Sequence, residues 1–128
     1  MDFFGYRKLI AYIKACEVRR NVYRLIKKFP KEEQFALCDQ LRRAAVSTTS
    51  NIAEGMTRYS NKDKVRFLEI AFGSLMEVMS QLEVALDEGY IDSDEFNNME
   101  TLIAETARVI SGLQNSFMDC PKNNLENK

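Results

Sequence analysis

Ser47, Asn51, Glu54 and Arg58 follow one another at steps of four, three and four residues. That spacing stacks side chains along one face of a helix. Arg43 extends the same line by one turn toward the N-terminus. A hydroxyl, a carboxamide, a carboxylate and two guanidinium groups in a row can form a hydrogen-bonded ladder that fixes helix register. They can equally present a polar face to a partner. Proton transfer or metal chemistry would need more. The chain contains no His, so it lacks the commonest general base and the commonest transition-metal ligand. The paired Glu-x-x-His motifs of di-iron carboxylate bundles cannot occur. Gly73-Ser74 falls inside a helical pattern rather than at a strand-to-helix turn, so it is no phosphate loop. No nucleophile elbow is present. The acid pairs Glu32/Glu33 and Asp87/Glu88 stand at expected helix ends, where solvated carboxylates are ordinary. Cys16, Cys38 and Cys120 lack metal-site spacing and read as reduced thiols. The expectation is a protein with no catalytic centre, no cofactor and no metal.

A second group of residues suits binding. Residues 1–30 hold eight Lys/Arg against two Asp/Glu, whereas residues 91–128 hold three against seven, within a chain of net charge −1. Lys14, Arg20, Arg24, Lys27 and Lys28 are the candidates for contact with nucleic-acid phosphates. They are interleaved with Tyr6, Tyr12 and Tyr23, which can stack on unpaired bases. A basic first helix and acidic last helices can also attract one another, within one molecule or between copies.

The elements that must position these groups are helical. The chain has 128 residues, five Gly and two Pro, and nothing between Pro30 and Pro121 forbids helix. A first helix is expected over about Tyr6 to Lys28, with Leu9, Ile10, Ile13, Cys16, Val22, Tyr23, Leu25, Ile26 and Phe29 as its apolar positions. These do not form one stripe, and a second apolar face hints at a subunit contact. Phe29-Pro30 ends it, and Lys31-Glu32-Glu33 opens a second helix running to about Gly55. Leu37, Leu41, Ala44, Thr48 and Ile52 form its seam, with small residues such as Ala44 and Ala45 permitting close approach. Ser60 and Asp63 have capping-box spacing ahead of a third helix to about Glu88. Gly73, inside that helix, suggests a close helix crossing. Gly89 then ends it, and Asp92 with Glu95 caps a fourth helix carrying Met99, Leu102, Ile103, Ala107, Ile110, Leu113 and Phe117. The expected fold is all-α, an antiparallel up-down-up-down four-helix bundle. It comprises one domain over residues 1–118 and a polar, disordered tail over 119–128. No apolar run is long enough to span a membrane, and the N-terminus lacks a signal-peptide pattern. The chain therefore reads as cytoplasmic.

The pattern of the second and third helices resembles a known family. The relevant residues are Gln40-Leu-Arg-Arg-Ala-Ala45, Ser47, Ser50-Asn-Ile-Ala-Glu-Gly55 and Arg58, followed by Phe67-Leu68, Ile70-Ala71, Gly73-Ser74-Leu75, Glu77 and Gln81-Leu82. They are similar to those of the bacterial four-helix-bundle proteins encoded in intervening sequences of large-subunit ribosomal RNA genes. That ribosomal-protein-like group is related to the accessory variability proteins of diversity-generating retroelements. The resemblance covers roughly residues 4–118. It implies a bundle that assembles into a homopentamer, and binding to RNA, DNA or a nucleic-acid-associated protein. Arg43, Ser47, Asn51, Glu54, Gly55 and Arg58 are then both family motif and candidate interaction face. The expected function is that of a non-catalytic oligomeric adaptor. The alternative is a scaffold that binds only protein.

Overall fold

The computed structural model describes residues 2–118, so the tail expected over 119–128 lies outside the described residues. Four helices account for most of them: α1 (Ile10–Ile26), α2 (Leu37–Met56), α3 (Asn61–Asp87) and α4 (Ser93–Ser116). No strand occurs among the described residues. Each helix packs on its neighbours in the chain, and α1 also packs on α4. The backbones of the diagonal pairs α1/α3 and α2/α4 do not approach one another closely, so the four close a ring around one core. Contacts across the seams run antiparallel. On α2/α3, Gln40 meets Gln81 and Ser47 meets Ser74. On α1/α4, Lys28 meets Glu95 and Lys14 meets Glu105.

The helix boundaries follow local chemistry. Ser60 Oγ accepts from Asp63 N–H at 3.1 Å to start α3. Asp92 and Glu95 form a complete capping box at the start of α4, with bonds of 2.8 and 2.9 Å. At the end of α3, Tyr90 N–H donates to Ala85 O and Gly89 N–H to Leu86 O. This paired closure requires a left-handed residue, and Gly89 supplies it at φ +79. The connections before α2 and after α3 are tied together: the Tyr90 hydroxyl donates to Glu33 Oε2 at 2.9 Å, and its ring lies 5.3 Å from that of Phe29.

Three expectations need correction. The first helix does not run unbroken from Tyr6. Gly5–Lys8 form a 3-10 turn, and Leu9 is extended (φ −70, ψ 135) before α1 begins at Ile10. The second helix does not open at Lys31 either: Lys31–Glu33 form a short 3-10 turn and α2 starts at Leu37. Helix continued back from Leu37 would carry Glu33 and Gln34 onto the core stripe, whereas the break keeps Phe29 and Leu37 both buried. The third correction is the rotational setting of α1. Its buried stripe is Ala11, Ala15, Val18, Val22 and Leu25, while Ile10, Ile13 and Tyr23 are exposed. Stepping back from Val22 and Val18 by helical spacing falls on Ala15 and Ala11, so the larger isoleucines are left outside.

The core seam of α2 is as expected, with Leu37, Leu41, Ala44, Thr48 and Ile52 all buried. Its poor helix formers do not interrupt it. Thr48 Oγ1 donates back to Ala44 O at 2.9 Å and Thr49 Oγ1 to Val46 O at 2.8 Å. Both buried hydroxyls are thereby satisfied without unwinding the backbone. Thr106 of α4 uses the same device, donating to Leu102 O at 2.7 Å.

Candidate nucleic-acid interface

The polar ladder on α2 divides into separate parts. Ser47 and Ser74 share a hydrogen bond of 2.8 Å between their hydroxyls, and Asn51 Nδ2 donates to Ser47 O and Ser47 Oγ at 2.9 and 3.0 Å. This group staples α2 to α3. One turn on, Arg58 donates to Glu54 Oε2 at 2.6 Å while its guanidinium lies 4.6 Å over the Phe67 ring. Arg43 joins neither group; it donates to Asp39 at 3.3 Å and is largely exposed. Ala44 and Ala45 are buried in the α2 seam.

The two glycines singled out by sequence have exchanged roles. Gly73 is exposed, and a Cβ built on it would meet nothing within 4 Å, so no helix crosses there. Gly55 is buried, and a Cβ there would lie 2.8 Å from Phe67 Cβ. The close crossing of α2 on α3 is at Gly55.

The five basic candidates on and just after α1 also diverge. Lys14 pairs with Glu105 at 3.2 Å and Lys28 pairs with Glu95, so both are turned toward α4 and matched by its acids. Arg24 donates to the Asn21 carboxamide. Arg20 and Lys27 are exposed, and Lys27 lies at the edge of a groove between α1 and α2.

That groove, about 510 Å³ in volume, is lined by Tyr23, Lys27, Pro30, Lys31, Cys38 and Arg42, among others. A shallower depression shares Tyr23 and Arg42 with it and continues over Arg43, Val46 and Ser47. Together the two place four cations along one seam, and no acidic residue lines either. Asp39 pairs with Arg42 at 3.6 Å and with Arg43. Arg42 is held further by donating to Gln34 O at 3.1 Å. Tyr23, 41% exposed, offers an aromatic surface beside the cations. The arrangement suits a phosphodiester backbone with an adjacent base. Lys31 and Arg42 were missed as site residues, because only the turn at Pro30 (ψ 151) brings Lys31 into the groove with Lys27. The sole sequence signal was the basic residue after a helix-breaking proline.

Among the described residues, no three His, Cys, Asp or Glu side chains gather as a metal site. Burial pushes the Cys38 thiol above its ordinary pKa, and its Sγ lies against Ile26 O at 3.8 Å, so it is held as a packed thiol rather than a thiolate. No helix among the described residues is long and apolar enough to cross a membrane.

The comparisons agree with this architecture. The chain is similar to a solved structure from Bacteroides thetaiotaomicron, described as a protein with unknown function from the S23 ribosomal protein family. The TM-score is 0.76 at 21% identity, over 82% of this chain and 98% of that one. No curated protein matches. Residues 7–112 match the family described as 23S rRNA-intervening sequence protein, a match that covers α1, α2 and α3 and most of α4. The chain therefore belongs to the 23S rRNA-intervening sequence protein family.

Proposed function

We propose that this protein is a non-catalytic, oligomeric adaptor that holds a single-stranded RNA backbone along the α1/α2 groove. The observation that carries the reading is the placement of Lys27, Lys31, Arg42 and Arg43 along one seam, with no carboxylate in its lining and Tyr23 at its side. Lys14 and Lys28 lie outside this seam, turned toward the acids of α4. The family resemblance favours five copies in the assembly. A second reading, a scaffold that binds only protein, draws support from the net charge of −1, which gives no global attraction to nucleic acid.

Titrating a labelled single-stranded RNA at several salt concentrations separates the two. Groove binding predicts affinity that falls steeply with salt. Changing Lys27, Lys31 and Arg42 together to Ala reduces the salt slope by about two. No measurable affinity at low salt supports the scaffold, and binding that ignores the triple substitution removes the groove.

A further inference from the structure

The outward faces of α1 and α3 are complementary in a way that the monomer does not use. Ile13 and Arg20 are exposed seven residues apart on α1, and Ile70, Glu77 and Val84 are exposed at the same interval on α3. Residues seven apart fall on nearly the same face of a helix, so each set forms a line along it. Ile13 and Ile70 are 49% and 42% exposed, sizeable apolar area for solvent-facing helix positions. Among the described residues, neither Arg20 nor Glu77 takes part in an ion pair, although six such pairs form elsewhere. The two faces lie on opposite sides of the bundle, since α1 and α3 are diagonal in the ring.

Their heights match as well. Ile26 and Cys38 meet across α1/α2, and Gln40 and Gln81 meet across α2/α3. Following those contacts from α1 through α2 to α3 puts Ile13 level with Ile70 and Arg20 level with Glu77. A second copy related by rotation about an axis along the bundle keeps these heights unchanged. It therefore sets isoleucine on isoleucine and arginine on glutamate.

We infer that the α1 face of one copy docks on the α3 face of the next, with Ile13 on Ile70 and Arg20 paired to Glu77. This rests on the oligomeric part of the function proposed above and names the surface that performs it. The contact is heterologous: each copy offers both faces, so repetition propagates the assembly and closes it when the rotation closes. The same register sets Val84 level with Lys27, so the neighbouring copy borders the RNA groove at that residue, whereas Arg20 lies outside the groove lining.

The test is the molar mass in solution, by light scattering, of the full chain and of Arg20→Glu, Glu77→Lys and the double variant, with helical content checked by circular dichroism. The wild type is expected at a multiple of 14.8 kDa. Each single variant shifts toward the monomer mass, and the double variant returns to the wild-type mass. Arg20→Ala and Glu77→Ala, which introduce no like charges, shift the mass in the same direction and serve if a charge reversal fails to fold. An oligomeric wild type whose mass ignores these substitutions, or a double variant that stays monomeric, overturns the interface while leaving the oligomer standing. A monomeric wild type removes both.

Discussion

Gly55 and Phe67 are in direct contact where α2 crosses α3: a Cβ at position 55 would sit 2.8 Å from Phe67 Cβ, with Lys64 O next at 3.6 Å. A Cβ atom cannot swing aside as the end of a long side chain can, so the helices themselves must separate. Gly55→Ala is predicted to destabilise the fold by about 1–3 kcal/mol. Gly73→Ala, at an exposed helix-interior position with open space around it, is predicted to stabilise by about 0.5–1 kcal/mol. Thermal melts check both: opposite shifts in Tm are expected, and a lower Tm for Gly73→Ala would contradict the assignment of the crossing.

The sequence could not tell these glycines apart, because the distinction depends on how α3 is rotated. Leu68, Leu75 and Leu82 set that rotation, and Gly73, two residues before Leu75, then falls about 200° away round the helix. Other features were legible because their physics is local. The Asp92/Glu95 box, the Ser60 cap, the Gly89 terminator and the Leu37–Ile52 seam all come from residues within a turn or two of one another. The α1 core was misread for the opposite reason. Alanines at 11 and 15 carry little hydrophobic weight, and only packing in the ring shows that they face inward while Ile13 does not. The candidate site was half visible: Lys27 and Arg43 were readable, but their union with Lys31 and Arg42 needs the turn at Pro30.

Glu95 joins α4 to α1. The Lys28 ammonium bound to its carboxylate, followed by the backbone N–H of Asp92, holds its pKa below the ordinary value of 4.5. A depressed folded-state pKa contributes stability that is present above the unfolded value and is lost as pH falls through the folded one. Urea midpoints measured across the acid range should therefore fall less steeply for Glu95→Gln than for the wild type. Parallel acid limbs would show that the pairing contributes nothing.

Tyr90 behaves in the opposite sense. Its hydrogen bond to Glu33, with burial and the nearby negative charge of that carboxylate adding to it, raises its pKa from 10.0 to about 12. A raised folded-state value gives stability that is complete below the unfolded pKa and is lost as pH rises through the folded one. Burial and the neighbouring Cys16 raise Tyr12 as well, so spectrophotometric titration should show a late phase of tyrosine ionisation that Tyr90→Phe diminishes. A late phase undiminished in Tyr90→Phe would contradict the assignment.

Asp92 tests the fourth helix alone. Asp92→Ala removes the acceptor for Glu95 N–H at 2.8 Å and frees the start of α4. A loss of about 1 kcal/mol is expected in denaturant melts. Asp92→Asn, which keeps an acceptor at that position, should recover most of it.

The α1/α2 groove as an RNA seam is tested most directly by lysine-modification footprinting of the full chain, with and without single-stranded RNA, read by mass spectrometry. Lys27 and Lys31, which line the groove, should lose reactivity when RNA is added. Lys62, exposed near the start of α3, should not change. Protection confined to α3 and α4, or no protection at RNA concentrations that saturate binding, would contradict the account.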